Sequence, residues 1–202
     1  MGILDSLTSG LVTAAKTTIY TSIVLGLVAV FGLYYFQTAL IYPSNFPVNS
    51  RTVVSTPDEF GLPFESVSLL ASDGVGLTAY LIKPRGSERA HKVTIVYFHS
   101  NAGNMGHRLP IAQQFYQNLD VNVFLLSYRG YGLSQGHANE AGIKLDSIAA
   151  IEYVKSHPQL KKTKIVLFGQ SIGGAVAIHA ASKGRVDGLI VENTFTSLVK
   201  VH

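Results

Sequence analysis

Hydrophobic residues are spread very unevenly along the chain. Between Thr17 and Ser50 there is no Asp, Glu, Lys or Arg, and within that stretch residues 19–41 read IYTSIVLGLVAVFGLYYFQTALI. As a helix rising 1.5 Å per residue, this segment would reach about 35 Å, enough for a hydrocarbon core of about 30 Å. Beyond Pro43 and Pro47, which cannot continue a helix, the pattern alternates. Residues 64–71 and 75–83 read as strands joined by Ser72-Asp73-Gly74, whose Asp-Gly pair favours a tight hairpin. Continuous apolar runs at 93–99 (VTIVYFH), 121–128 (VNVFLLSY), 164–169 (KIVLFG) and 188–192 (GLIVE) predict further strands. Helical spacing at 109–119, 140–155 and 172–182 fills the intervals. An antiparallel entry followed by strand–helix repeats with apolar strands predicts a mostly parallel sheet covered by helices on both faces. In such sheets chemistry gathers in the loops at the carboxyl ends of the strands. Here those loops are 100–104, 129–136 and 170–173. The expected organisation is an amino-terminal segment at 1–18, a transmembrane anchor at 19–41, a linker at 42–52 and an α/β domain from 53 to 202.

Three readings compete for the apolar segment. A cleaved signal peptide has a shorter core and an A-x-A-like site, for which Thr38-Ala39-Leu40 is a poor match. A buried core helix rarely stays uncharged for so long. A membrane anchor fits best, with Tyr20, Tyr34, Tyr35 and Tyr42 towards its ends, where aromatic side chains suit the interface. Lys16 and Arg51 lie on opposite sides of the segment, so charge does not choose an orientation. Met1-Gly2-Ile3-Leu4-Asp5-Ser6 fits the loose M-G-x-x-x-[ST] acylation pattern; beside a spanning helix, coincidence is the better reading.

Composition adds little to this. Hydrophobic residues make up 47% and charged residues 14% of the 202 positions, too apolar for disorder. The net charge of +4 is scattered except for Lys161-Lys162-Thr163-Lys164, which reads as a solvated loop ahead of a strand and not as a nucleic-acid site. Without cysteine, disulfides, thiolate metal sites and a cysteine nucleophile are excluded. No N-x-[ST] sequon is present.

The pattern G-x-S-x-G occurs at Gly169-Gln170-Ser171-Ile172-Gly173 and at Gly132-Leu133-Ser134-Gln135-Gly136. A nucleophile elbow leaves a buried strand and enters a helix at once, with small residues two positions either side of the serine. Ser171 meets each condition. Ser134 has the flanking glycines but not the strand–turn–helix setting, being separated from its strand by Arg129-Gly130-Tyr131 and followed by His137-Ala138-Asn139. Ser171 is therefore the expected nucleophile and Ser134 a loop residue; the bland alternative, a tight turn at 169–174, ignores the strand–turn–helix setting. Acyl transfer also needs donors where negative charge develops. The backbone N–H of Ile172 is one, and the loop after the third strand supplies the other, for which Asn101 is chosen over Ser100.

The runs FHSNAGN, SYRGYGLSQG, GQSIGG and VENTFTS, in this order and spacing, resemble the single-pass membrane type of α/β-hydrolase-domain proteins, which includes the fungal bud-emergence-suppressor-like proteins and their animal relatives. The resemblance spans residues 51–199. It implies an α/β-hydrolase fold and a cofactor-free serine hydrolase of acyl esters or thioesters, with lipid or lipidated-protein substrates and an endomembrane such as the endoplasmic reticulum as its location. In this fold the triad runs Ser, then Asp or Glu, then His, and the resembling family places the last two far beyond the nucleophile. On this reading the carboxyl-terminal strands, the acid and the base are not in the chain, and it is inactive as it stands. Local substitutes would be Glu192, at the end of the last strand, and His202. Asp187 lies at the wrong end of the sheet, His99 reads as a loop-stiffening residue, and His91, His107, His137, His157 and His179 read as surface or packing residues. The competing function is a non-catalytic, membrane-bound binding or regulatory module that keeps the fold. Neither a metal nor a nucleic-acid partner is expected, and the sequence does not set the oligomeric state.

Overall fold

A computed structural model describes residues 2–84, 86 and 92–195. The chain divides into two units, one ending at Ile41 and one beginning at Tyr42. The first is a single helix, α1 (Gly2–Ile41), which takes in most of the expected amino-terminal segment as well as residues 19–41, because nothing upstream breaks it. Its stretch Ser6–Ile41 is long and apolar enough to cross a bilayer by length and composition, with an 18-residue window of mean hydropathy 1.9.

The second unit holds six strands and three helices among the described residues: β1 (Phe64–Leu70), β2 (Gly76–Ile82), β3 (Val93–Phe98), α2 (Leu109–Leu119), β4 (Asn122–Ser127), α3 (Glu140–Ser156), β5 (Lys164–Gln170), α4 (Ile172–Lys183) and β6 (Gly188–Glu192). The sheet order is β1-β2-β4-β3-β5-β6. β1 and β2 form the predicted hairpin, β2 runs antiparallel to β4, and β4, β3, β5 and β6 are mutually parallel.

Alternation along the central strands explains their unbroken apolar sequence. Val96 and Phe98 of β3 and Phe124 and Leu126 of β4 point into a layer with Ile143, Ile151, Ala177 and Ala180 of α3 and α4. Their neighbours Ile95, Tyr97, Val123 and Leu125 pack on the other face with Leu109 and Ala112. Both sides of each strand are covered, so both must be apolar. Each fully buried large side chain contributes about 1.5–3 kcal/mol. β6 differs: Leu189, Ile190 and Val191 are all more than 40% exposed, and β5 is its neighbour in the sheet.

One buried charge network ties the hairpin to the helical layer. Arg129, just beyond β4, gives its backbone N–H and Nε–H to the two carboxylate oxygens of Asp146 on α3, each at 2.8 Å, and pairs with Asp73 in the β1–β2 turn at 2.6 Å. The Arg129 hydrogen bond holds the Asp73 carboxyl below its usual range. The same contacts, with Asp73 foremost, raise the Arg129 guanidinium further.

Candidate active site

β3 and β5 lie side by side and parallel, with Phe98 opposite Gly169. The loops leaving their carboxyl ends therefore emerge together, about 4.8 Å apart at the strands. One carries Asn101 and the other Ser171.

Ser171 sits between β5 and α4 at φ 55, ψ −121. A non-glycine residue there stores about 1–3 kcal/mol of strain, which surrounding contacts must offset. Those contacts are visible. The Ser171 N–H donates to the Glu192 carbonyl at 2.9 Å, its own carbonyl accepts from Gly174 N–H at 2.9 Å, and the Thr194 hydroxyl donates to that same carbonyl at 2.8 Å. The flanking glycines follow from space. A Cβ at Gly169 would strike the Gly173 carbonyl, one at Gly173 the Phe98 carbonyl, and one at Gly174 the Thr194 side chain, all closer than 3.0 Å. Without Cβ atoms the amino terminus of α4 settles directly against the end of β3. There its first N–H groups and the positive end of its dipole favour an anion. Ile172, the first residue of α4, is where the sequence placed one oxyanion donor.

The facing loop is held one peptide at a time. His99 is fully buried, its ring 4.2 Å from that of Tyr128 and 5.0 Å from that of Tyr131. Its Nδ1 lies 2.7 Å from the Ser100 carbonyl; because a carbonyl only accepts, Nδ1 carries the proton. Burial pushes the His99 imidazole down to about 3, opposed by the Ser100 bond and helped by the nearby Arg108. It is neutral at physiological pH and no general base. Its role lies in the Ser100–Asn101 peptide. In a trans peptide C=O and N–H point opposite ways, so anchoring the Ser100 carbonyl on His99 fixes the direction of the Asn101 N–H. The Tyr128 hydroxyl donates to the His99 carbonyl at 3.0 Å and the Tyr131 hydroxyl to the Asn101 carbonyl at 2.7 Å. Arg108 donates to the Ala102 carbonyl.

Sequence reasoning did not assign these bracing roles to Tyr128, Tyr131 and Arg108. The paired tyrosines of SYRGYG were the available signal. The other G-x-S-x-G serine is a structural residue: Ser134 is buried, donates to the Ser127 carbonyl at 2.8 Å and accepts the Thr78 N–H at 2.9 Å. Glu192 touches Ser171 through its backbone carbonyl. Its exposed carboxylate accepts instead from Gln170 Nε2 at 3.3 Å and Asn193 Nδ2 at 3.4 Å. Asp187 accepts the Ile165 N–H at the far end of β5. His202 and His91 lie outside the described residues. His107 engages Asn104, while His137 is exposed, and burial lowers both His157 and His179. Beside Ile172 is a cavity of about 220 Å³ whose walls include Tyr42, Ile143, Ala175, Val176 and Phe195. No group of three or more potential metal ligands occurs among the described residues.

Residues 93–201 match the family described as alpha/beta hydrolase fold. The chain is 50% identical to protein bem46 of Schizosaccharomyces pombe over 195 residues, which is 96% of this chain and 65% of that protein. It is 41% identical to an uncharacterized membrane protein of Saccharomyces cerevisiae, covering 86% of this chain and 60% of the relative. It is 40% identical to the alpha/beta hydrolase domain-containing protein WAV2 of Arabidopsis thaliana, covering 83% and 54%. The chain thus spans roughly half to two thirds of the length of these curated relatives. Among solved structures, an alpha-beta hydrolase from Vibrio vulnificus superposes with TM-score 0.65 at 20% identity, over 83% of this chain and 60% of that one. The Pyrococcus furiosus esterase Pf2001 does so with TM-score 0.62 at 24% identity, over 76% and 58%. At such identities the likeness is one of fold.

Proposed function

The chain belongs to the alpha/beta-hydrolase fold family, and from that premise we propose that it is the nucleophile-bearing part of a serine hydrolase. The single observation that carries this reading is the conformation of Ser171, a strained left-handed serine wedged between a buried strand and a helix whose glycines leave no space for side chains. Such strain persists where function requires it. In the proposed reaction the Ser171 hydroxyl attacks an acyl carbonyl, and its proton passes to a histidine oriented by an acid. The oxyanion is received by the N–H groups of Ile172 and Asn101. The acid and base belong, in this reading, to the part of the relatives' length that the matched region does not reach. Glu192 and His202 remain the local alternatives.

The apolar cavity beside Ile172 suits the acyl part of an ester or thioester, and the long apolar helix supports lipid or lipidated-protein substrates met at a membrane. We place the protein as single-pass, in an endomembrane such as the endoplasmic reticulum. The non-catalytic alternative draws its support from His99, which is neutral, buried and committed to Ser100.

Fluorophosphonate labelling decides between the two. The complete protein is expected to label, and Ser171→Ala to abolish labelling, while Ser134→Ala leaves it unchanged. Absence of Ser171-dependent labelling in the folded complete protein refutes the hydrolase reading. Labelling of the 202-residue chain by itself would move the triad search to Glu192 and His202.

A further inference from the structure

The residues just after α1 read in the sequence as a linker, yet they are gripped by the domain at successive points. The Gly103 N–H donates to the Phe46 carbonyl at 2.6 Å. Asn104, fully buried, spends both hydrogens of its amide on this segment, donating at 2.8 Å to the Ser50 carbonyl and at 2.8 Å to the Val53 carbonyl. Arg51 reaches the Ser134 carbonyl at 3.0 Å. A Cβ on Gly106 would collide with the Ser55 backbone, so the contact is close all along.

What matters is where the grip falls. The loop that supplies the Asn101 N–H has its carbonyls fixed by side chains from the domain: Ser100 by His99, Asn101 by Tyr131, and Ala102 by Arg108. The next two residues, Gly103 and Asn104, are fixed by the post-helix segment. Gly103 takes φ +79, a conformation open to glycine, so a restraint beyond it helps the near side of the loop hold its direction.

We propose that residues 46–53 are a brace for the oxyanion loop, with Asn104 as a positioning residue that acts through the loop and does not touch substrate. This rests on the reading of Ser171 as nucleophile. Its consequence is that residues 46–53 support the oxyanion loop and are more than a linker.

The test uses the complete protein, with its helix, in phosphatidylcholine nanodiscs, hydrolysing a short p-nitrophenyl ester. Asn104→Asp keeps the shape and the acceptor towards His107 but turns the donor that holds Ser50 and Val53 into a second acceptor. A loosened oxyanion donor costs up to about 10²-fold, against about 10²–10³ for a deleted one. The expected result is a fall in kcat of at least about tenfold, with KM within about twofold and faster hydrogen exchange at the Gly103 amide. Unchanged kcat, or a fall confined to KM, overturns the proposal. Should the variant fail to fold, a protease site placed at exposed Val48–Asn49 allows the brace to be cut in protein already folded. A drop in kcat on cutting supports the brace, and a rate that survives cutting overturns it. Ser171→Ala separates the two levels: if wild-type hydrolysis does not depend on Ser171, the hydrolase reading falls and the brace with it. If it does depend on Ser171 while Asn104→Asp behaves as wild type, only the brace falls.

Discussion

The buried His99 makes the domain acid-labile in a way that can be calculated. Its imidazole is held at about 3 in the folded protein by burial between Tyr128 and Tyr131, against about 6.5 in the unfolded chain. With the folded value the lower of the two, the unfolded state binds the extra proton between these limits. The stability linked to His99 is therefore complete above about pH 6.5 and is lost progressively as pH falls towards 3. At pH 4.5, two units below the unfolded value, this corresponds to about 3 kcal/mol lost relative to pH 8. For a domain whose whole stability is about 5–15 kcal/mol, that is a large share. His99→Phe keeps an aromatic ring against the two tyrosines and removes the titration. It also removes a buried Nε2 that has no hydrogen-bond partner among the described residues, while leaving the Ser100 carbonyl without its donor. These opposing changes bring the two proteins within about 1.5 kcal/mol of each other at pH 8. The assay is thermal unfolding in detergent, followed by circular dichroism, of wild type and variant at pH 8, 6.5, 5.5 and 4.5. The wild-type midpoint should drop relative to the variant by about 5–10 °C between pH 8 and 4.5. Carboxylates such as Asp146 titrate in both proteins and cancel in the comparison. Parallel pH profiles for the two would refute the reasoning, because they would mean that His99 is hydrated or paired in the folded state.

Two sets of substitutions test the packing around Ser171 and the charge network behind it. Gly173→Ala forces a Cβ onto the Phe98 and His99 carbonyls, which are backbone and cannot rotate away, whereas Gly174→Ala meets the Thr194 side chain. Fluorophosphonate labelling of the complete protein should fall at least about tenfold in Gly173→Ala and less in Gly174→Ala, and the reverse order would contradict the geometry. Arg129→Met strips the partner from Asp146, whose side chain is wholly buried, and should cost about 3–5 kcal/mol in urea unfolding. Adding Asp146→Leu should restore part of that loss, and a strictly additive double variant would show that the pair is not coupled.

How much of this was legible in the sequence depends on which atoms carry the information. Strand and helix bounds followed from side-chain periodicity, so β3, β5, α3 and α4 fall within a residue or two of expectation, and the crossing of β5 into α4 identified which serine lies at an elbow. The two G-x-S-x-G copies are indistinguishable as patterns. They differ because Ser134 is absorbed by Thr78 and Ser127, from the strands beneath it, while Ser171 is pushed into a conformation that no side-chain pattern states. That α1 also takes in residues 2–18, ahead of the expected anchor, was not legible from hydropathy, because a helix needs only the absence of breakers. The brace was invisible for a plainer reason. Its acceptors are the carbonyls of Phe46, Ser50 and Val53, and every residue has a carbonyl. The one informative side chain, Asn104, stands more than fifty positions away from its partners. A polar residue buried at such a distance cannot be serving its own loop alone. That is why residues 46–53 belong with the α/β domain and not with α1, and why a cut at residue 53 would discard contacts of the proposed oxyanion loop.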